Sequence, residues 1–180
     1  MNYNQLIINW HVKASDDDFF SKFVFEYLAF IAFLKKKKFT NSQNDRAAIQ
    51  FLKQDESIKI KYLNKVLNNV DLHLSWEEIK KELKIARLGN VSGNSGNVEE
   101  IKWWNCSHSD LGGHAIDDKN KVKGYIYNLE DWENMVEFWY SIRNNLFHGA
   151  KNPEDRRDRL FVEHGYKTLN PLVQILLETE

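Results

Sequence analysis

The feature that most constrains this chain is the stretch Phe19 to Leu34, where only Ser21, Lys22 and Glu26 interrupt apolar residues. On a helix, Phe19, Phe20, Phe23, Val24, Tyr27, Leu28, Phe30, Ile31 and Leu34 would cover most of the circumference. Such a helix must be enclosed by other elements. It is too short for a bilayer, which needs roughly 20 apolar residues. Asp16, Asp17 and Asp18 precede it and Lys35 to Lys38 follow, both placed to suit a helix dipole. The spacing predicts a central helix from Asp16 to about Lys37 with Ser15 as its N-cap. The lysine run reads as a helix C-terminus rather than a polyanion patch.

Partner helices are legible around it. Asp45–Gln54 and Glu56–Asn68 carry helical patterns, and Ser75-Trp76-Glu77-Glu78 has the form of a capping box. The latter predicts a helix from Ser75 to near Gly89. Leu129, Trp132, Met135, Val136, Trp139, Ile142 and Leu146 recur at spacings of three and four. They predict a helix from about Glu130 to His148, closed by Gly149. Asn152-Pro153 has the form of an N-cap followed by proline at the first helical position. The last helix is expected from Pro153 to about Leu177, kinked or split at Pro171.

Residues 89–124 differ from the rest. Five of the eight glycines lie between Gly89 and Gly113, among many Asn, Asp and Ser residues. A long irregular insertion is expected, with Val98–Trp104 and Val122–Tyr127 as short strands of a β-hairpin. The expected fold is therefore all-α, one domain over residues 1–180 with this insertion.

Composition bounds the function. Hydrophobic residues make up 42% and aromatics 13%, enough for one real core. The net charge is −1, so any polyanion partner must be drawn by a local patch. The single cysteine, Cys106, cannot form an internal disulfide, and Met1 to Trp10 lacks the pattern of a signal peptide. The expectation is a cytoplasmic protein with no membrane association.

Arg143-Asn144-Asn145-Leu146-Phe147-His148 carries the chemistry. Asn144 and His148 are four apart and share a helix face. Arg143 stands about 140° round from His148, and its length lets it reach a phosphate held beside the imidazole. Metal-free RNA cleavage needs a base for the 2′-OH, an acid for the leaving 5′-oxygen and a cation for the phosphorane. Histidine titrates near neutrality and can serve as either proton carrier. Arginine grips phosphate in a fork, and an amide such as Asn144 can orient hydroxyl or imidazole. One histidine cannot easily be acid and base in one step, so a two-fold dimer with a composite site is favoured.

The pattern Arg143-Asn144-x-x-x-His148 near a helix end, followed by another helix, resembles the motif of the HEPN superfamily. The surrounding SIRNNLFHGAKNPEDRRDRLF looks like small stand-alone HEPN proteins, and the likeness is specific over the C-terminal third. The resemblance implies a dimerising helical bundle acting as a metal-independent endoribonuclease that leaves 2′,3′-cyclic phosphate and 5′-hydroxyl ends. It implies a toxin or defence effector restrained by an antitoxin or a trigger, with RNA as substrate and no cofactor. Arg143 would then stabilise the scissile phosphate, Asn144 position, and His148 handle protons. The resemblance equally covers inactive HEPN-like modules that dimerise or bind nucleotide or RNA. No tyrosine follows closely after His148, in contrast to relatives modified there.

Other residues stay open between two readings. Lys151, Arg156, Arg157 and Arg159 could guide RNA phosphates, Arg156 and Arg159 best since they share a face, or form a solvated face with Glu154, Asp155 and Asp158. Cys106, His108, Asp110 and His114 fit no zinc spacing, and no metal site is expected. Gly89, Gly93 and Gly96 lack the lysine of a phosphate loop. Trp103-Trp104 reads as core packing of the insertion rather than a base-stacking platform. His164 and Tyr166 are left unassigned.

Overall fold

A computed structural model describes residues 3–14, 18–86, 88, 125–149 and 151–179. Among these, the chain forms seven α-helices and no strand: α1 (Tyr3–Lys13), α2 (Phe19–Phe33), α3 (Asp45–Lys53), α4 (Glu56–Asn68), α5 (Val70–Ile85), α6 (Trp132–Phe147) and α7 (Arg156–Glu178). The all-α expectation holds for these residues. The predicted insertion, 89–124, lies outside the described residues, as do Ser15, Asp16 and Asp17. Tyr125–Tyr127, the end of the second predicted strand, are described and form no strand.

The apolar stretch forms the central helix. α2 buries Phe23, Tyr27, Ala29, Phe30, Ile31 and Phe33, and it packs against both α1 and α7. Its cap is Asp18, whose side chain accepts from the Phe20 and Ser21 amides at 2.8 and 3.4 Å. Gly165 of α7 permits the close approach to α2, since a Cβ there would lie 3.1 Å from the Phe23 ring. The helix α1, which carries no strong periodic signal, was not foreseen.

Three further boundaries differ from expectation. α5 starts at Val70, not Ser75. Asn69 accepts from the Leu72 amide at 2.9 Å, while Ser75 sits mid-helix and buried. The capping-box pattern loses because Leu72 already belongs to the buried face. α5 also ends at Ile85, short of Gly89. Asp155 rather than Asn152 caps α7, accepting from the Asp158 amide at 2.9 Å, while Asn152 makes a turn by accepting from Glu154 at 2.9 Å. α7 runs through Pro171 without splitting. Proline there costs about 3 kcal/mol. Leu169, Leu172 and Val173 are fully buried beside it, each contributing roughly 1.5–3 kcal/mol, which outweighs that cost.

A polar net ties four helices inside the core. Trp76 (α5) donates to the Tyr62 hydroxyl at 2.9 Å, and Tyr62 (α4) donates to the Thr168 carbonyl at 2.6 Å. Trp139 (α6) donates to Thr168 Oγ1 at 2.9 Å, and that hydroxyl donates to the His164 carbonyl at 2.7 Å within α7. The Tyr62 and Trp76 rings each lie within 5.6 Å of the Trp139 ring. This net fixes the rotation of α6, and so the direction in which its C-terminal end faces.

Candidate active site

α6 is enclosed over its first turns and emerges at its end. Met135, Val136, Glu137, Phe138, Trp139, Ser141 and Ile142 are buried, Arg143 and Asn144 are half-buried, and Phe147 and His148 are exposed. The core anchors the helix, and the motif is delivered to the surface by its last turn. The His148 amide donates to the Asn144 carbonyl at 3.0 Å. Gly149 follows with φ +68°, a left-handed turn that favours glycine, and its amide reaches the Leu146 carbonyl at 3.1 Å.

The three motif residues thus share one helix end. Arg143 Nη1 donates to Asn144 Oδ1 at 2.8 Å. The Arg143 guanidinium lies 4.7 Å from the centre of the Phe147 ring and 5.8 Å from that of Tyr27. Its Nη2 faces Asp45 Oδ2 at 3.6 Å. Tyr27 is wholly buried, and burial holds its hydroxyl well above the ordinary phenol range. It is therefore a neutral floor under the cation. His148 has no side-chain partner among the described residues.

A second layer of charge underlies the motif. Glu137 is fully buried and meets Arg46 Nη1 at 2.6 Å and the Lys53 ammonium. Burial pushes the Lys53 ammonium below its ordinary range, with Glu137 opposing that effect. Arg46 also lies over the Tyr140 ring at 5.3 Å. At the end of α2, Leu34–Lys38 form a π-helical turn that splays the lysines apart. Lys35 pairs with Asp45 at 2.9 Å, Lys38 with Asp55 at 3.2 Å, and Lys36 lies over the Tyr3 ring at 5.1 Å. Around the α3–α6 seam, four cations (Lys35, Arg46, Lys53 and Arg143) face three carboxylates (Asp45, Glu137 and Glu133, which acts on Lys53). The patch is positive in a chain whose net charge is −1.

The predicted phosphate guides fare unequally. The Lys151 side chain is 5% exposed and is engaged by Asp158, with its ammonium over the Phe161 ring at 5.5 Å. It is part of the loop's own packing. Arg156 is 77% exposed and only loosely placed, 3.8 Å from Glu82. Arg159 is exposed with no ion-pair partner among the described residues. Arg157 is the structural member of the group, donating to the Ala86 carbonyl and covering the Phe161 ring at 4.6 Å. Arg156 and Arg157 face α5, whereas Arg143 faces α2 and α3.

Sequence reasoning missed Lys35, Asp45, Tyr27 and Phe147. Phe147 had a readable signal, being four residues after Arg143 on the same helix. Asp45 had none, because its proximity to Arg143 is purely tertiary. A separate groove of about 570 Å³ between α5 and α7 is lined by Asp71, Ser75, Glu78, His164, Tyr166 and Asn170, among others. Burial lowers the affinity of His164 for a proton, and its Nδ1 is buried with no hydrogen-bond partner among the described residues. Among the described residues no cluster of three or more His, Cys, Asp or Glu side chains could hold a metal ion. Cys106, His108, Asp110, His114, Trp103 and Trp104 lie outside the described residues. No described helix is long and apolar enough to cross a membrane.

The chain matches no protein-family model, and no curated protein or solved structure matches it significantly.

Proposed function

We propose that this chain is a HEPN-type, metal-independent endoribonuclease acting as a homodimer, a toxin or defence effector held in check by an antitoxin. One observation carries the reading: Arg143, Asn144 and His148 stand together on the emerging end of a core-anchored helix, with His148 exposed and its imidazole without a partner among the described residues. A merely structural motif would use the histidine to satisfy a carbonyl or fill the core. The positive patch behind Arg143 supports a polyanionic substrate. In this reading one histidine takes the 2′-OH proton while the 2′-oxygen attacks phosphorus. A second, from the other copy, protonates the 5′-oxygen as the P–O bond breaks. The arginines stabilise the phosphorane charge.

A nucleotide-binding regulator is less well supported. The groove between α5 and α7 presents Asp71 and Glu78 against one lysine, Lys167, which is itself paired with Glu163 at 2.6 Å, so its charge disfavours a mononucleotide's phosphate.

The test is incubation of the protein with tRNA and mRNA in EDTA, beside Arg143→Ala and His148→Ala. Cleavage by wild type alone, with cyclic-phosphate ends, is the expected result. A folded, dimeric wild type that leaves RNA intact would favour a binding module. Equal cleavage by all three proteins would remove the motif from the chemistry.

A further inference from the structure

Asp45 stands between two cations from different helices. Its Oδ1 accepts from Lys35 Nζ at 2.9 Å, and its Oδ2 faces Arg143 Nη2 at 3.6 Å. It also occupies the first turn of α3, where the helix dipole adds positive potential. Three sources of positive potential thus converge on one carboxylate. Two oxygens, each turned to a cation, reproduce how the non-bridging oxygens of a phosphodiester are held.

The two contacts are unequal. The lysine contact is a hydrogen bond, whereas the arginine contact exceeds hydrogen-bond length. Arg143 donates its short bond to Asn144 Oδ1 instead. All three side chains are partly exposed, Lys35 by 31% and Asp45 and Arg143 by 29% each. Exposed ion pairs of this kind are weak and readily exchanged. A phosphate carried in by a polyanion can compete for both cations.

We propose that Asp45 holds the place of an RNA backbone phosphate between Lys35 and Arg143, and that substrate enters by displacing it, which makes Lys35 the second phosphate ligand. The proposal rests on the ribonuclease reading of the Arg143 site and adds to it a built-in competitor. Asp45 lowers the affinity of the empty site for every anion, and it keeps Arg143 from being left as an unpaired cation on the surface.

The experiment measures anisotropy of a short fluorescein-labelled 2′-O-methyl RNA, which cannot be cleaved by 2′-OH attack. It compares wild type, Asp45→Asn, Lys35→Gln and Arg143→Ala over a series of salt concentrations. Asp45→Asn keeps the hydrogen-bond acceptor and removes the charge, and is expected to bind roughly threefold to tenfold tighter. Lys35→Gln should bind more weakly, with a salt slope shallower by about 0.7, the value for one single-strand phosphate contact. Lys35 sits at a half-exposed helix end, so this variant tests the idea even if Asp45→Asn disturbs α3. Arg143→Ala should weaken binding. Loss in Arg143→Ala with no gain in Asp45→Asn, or with an unchanged salt slope in Lys35→Gln, overturns the displacement proposal and leaves the RNA site standing. Binding that is absent in wild type, or unaffected by Arg143→Ala, overturns the RNA reading itself.

Discussion

Arg143 donates to the side-chain oxygen of its own neighbour, Asn144, at 2.8 Å. The bond turns the guanidinium across the helix end, over Phe147, with Nη2 directed at Asp45. Asn144→Ala should therefore lower kcat roughly tenfold with little change in KM, because the cation remains but loses its aim. Arg143→Ala should cost roughly 100-fold or more in kcat. Asn144→Asp, which retains an acceptor oxygen, should recover most of the Ala deficit. A deficit of equal size in the Asp and Ala variants would show that the bond does not position Arg143.

The pair His11–Glu26 should make stability fall as pH rises. Glu26 is fully buried and meets His11 Nδ1 through both oxygens, at 2.9 and 3.0 Å, and Asn170 donates to it at 3.3 Å. Burial raises the Glu26 carboxyl above its ordinary value of 4.5, despite His11. The hydrogen bond to Glu26 raises His11 above 6.5, against burial. Both groups hold protons more tightly folded than unfolded. Their contribution is full below the unfolded values and is lost as pH climbs through the folded ones. Urea midpoints should decline from about pH 5 to pH 8, and the decline should flatten in Glu26→Gln. The same pH slope in both proteins would count against the pair as its source.

Asp158 locks the loop behind the motif. One oxygen engages the buried Lys151 ammonium and the other accepts from the Asn152 amide at 2.9 Å. Asp158→Ala leaves a buried lysine without its counter-charge, a loss of about 3 kcal/mol. For a chain of this size that lowers Tm by roughly 6–12 °C. Calorimetry of Asp158→Ala beside Lys151→Met distinguishes the cause: the second change removes the orphaned charge and should be the milder one.

Thr168→Val keeps the shape of a buried side chain but removes the acceptor for the Trp139 indole N–H. The orphaned donor should cost about 1–3 kcal/mol. Because the net also fixes the rotation of α6, RNA cleavage by this variant should fall even at temperatures where it is fully folded. Unchanged stability would mean that the indole finds another acceptor.

Much of the fold was legible because helical periodicity is a local signal. α4 was read at its observed bounds, and α3 and α6 to within two residues, since apolar spacing agrees with the caps Asn44 and Asp55 on the first two and with the Gly149 turn on the third. Errors arose where two local signals competed. Ser75 and Asn69 both offer a cap, as do Asn152 and Asp155, and the choice falls to the packing of Leu72 and the loop grip of Asp158. Arg143, Asn144 and His148 were readable as a spaced motif. Asp45, Lys35 and Tyr27 were not, because they reach Arg143 only through the folding of α2 and α3 against α6. Lys151 looked like a free cation because sequence shows charge but not that Phe161 and Asp158 enclose it.

The dependence of α2 on α7 has a consequence for how this protein is made. About 120 residues separate the end of α2 from the start of α7, which at ribosomal speed is an interval of ~6–24 s. Phe23, whose ring touches the Gly165 position, has no cover from that side until the later helix is synthesised. Each nascent copy thus carries an open phenylalanine-rich surface for several seconds. During that time chaperones and, at high expression, neighbouring chains compete for the face that α7 will eventually close.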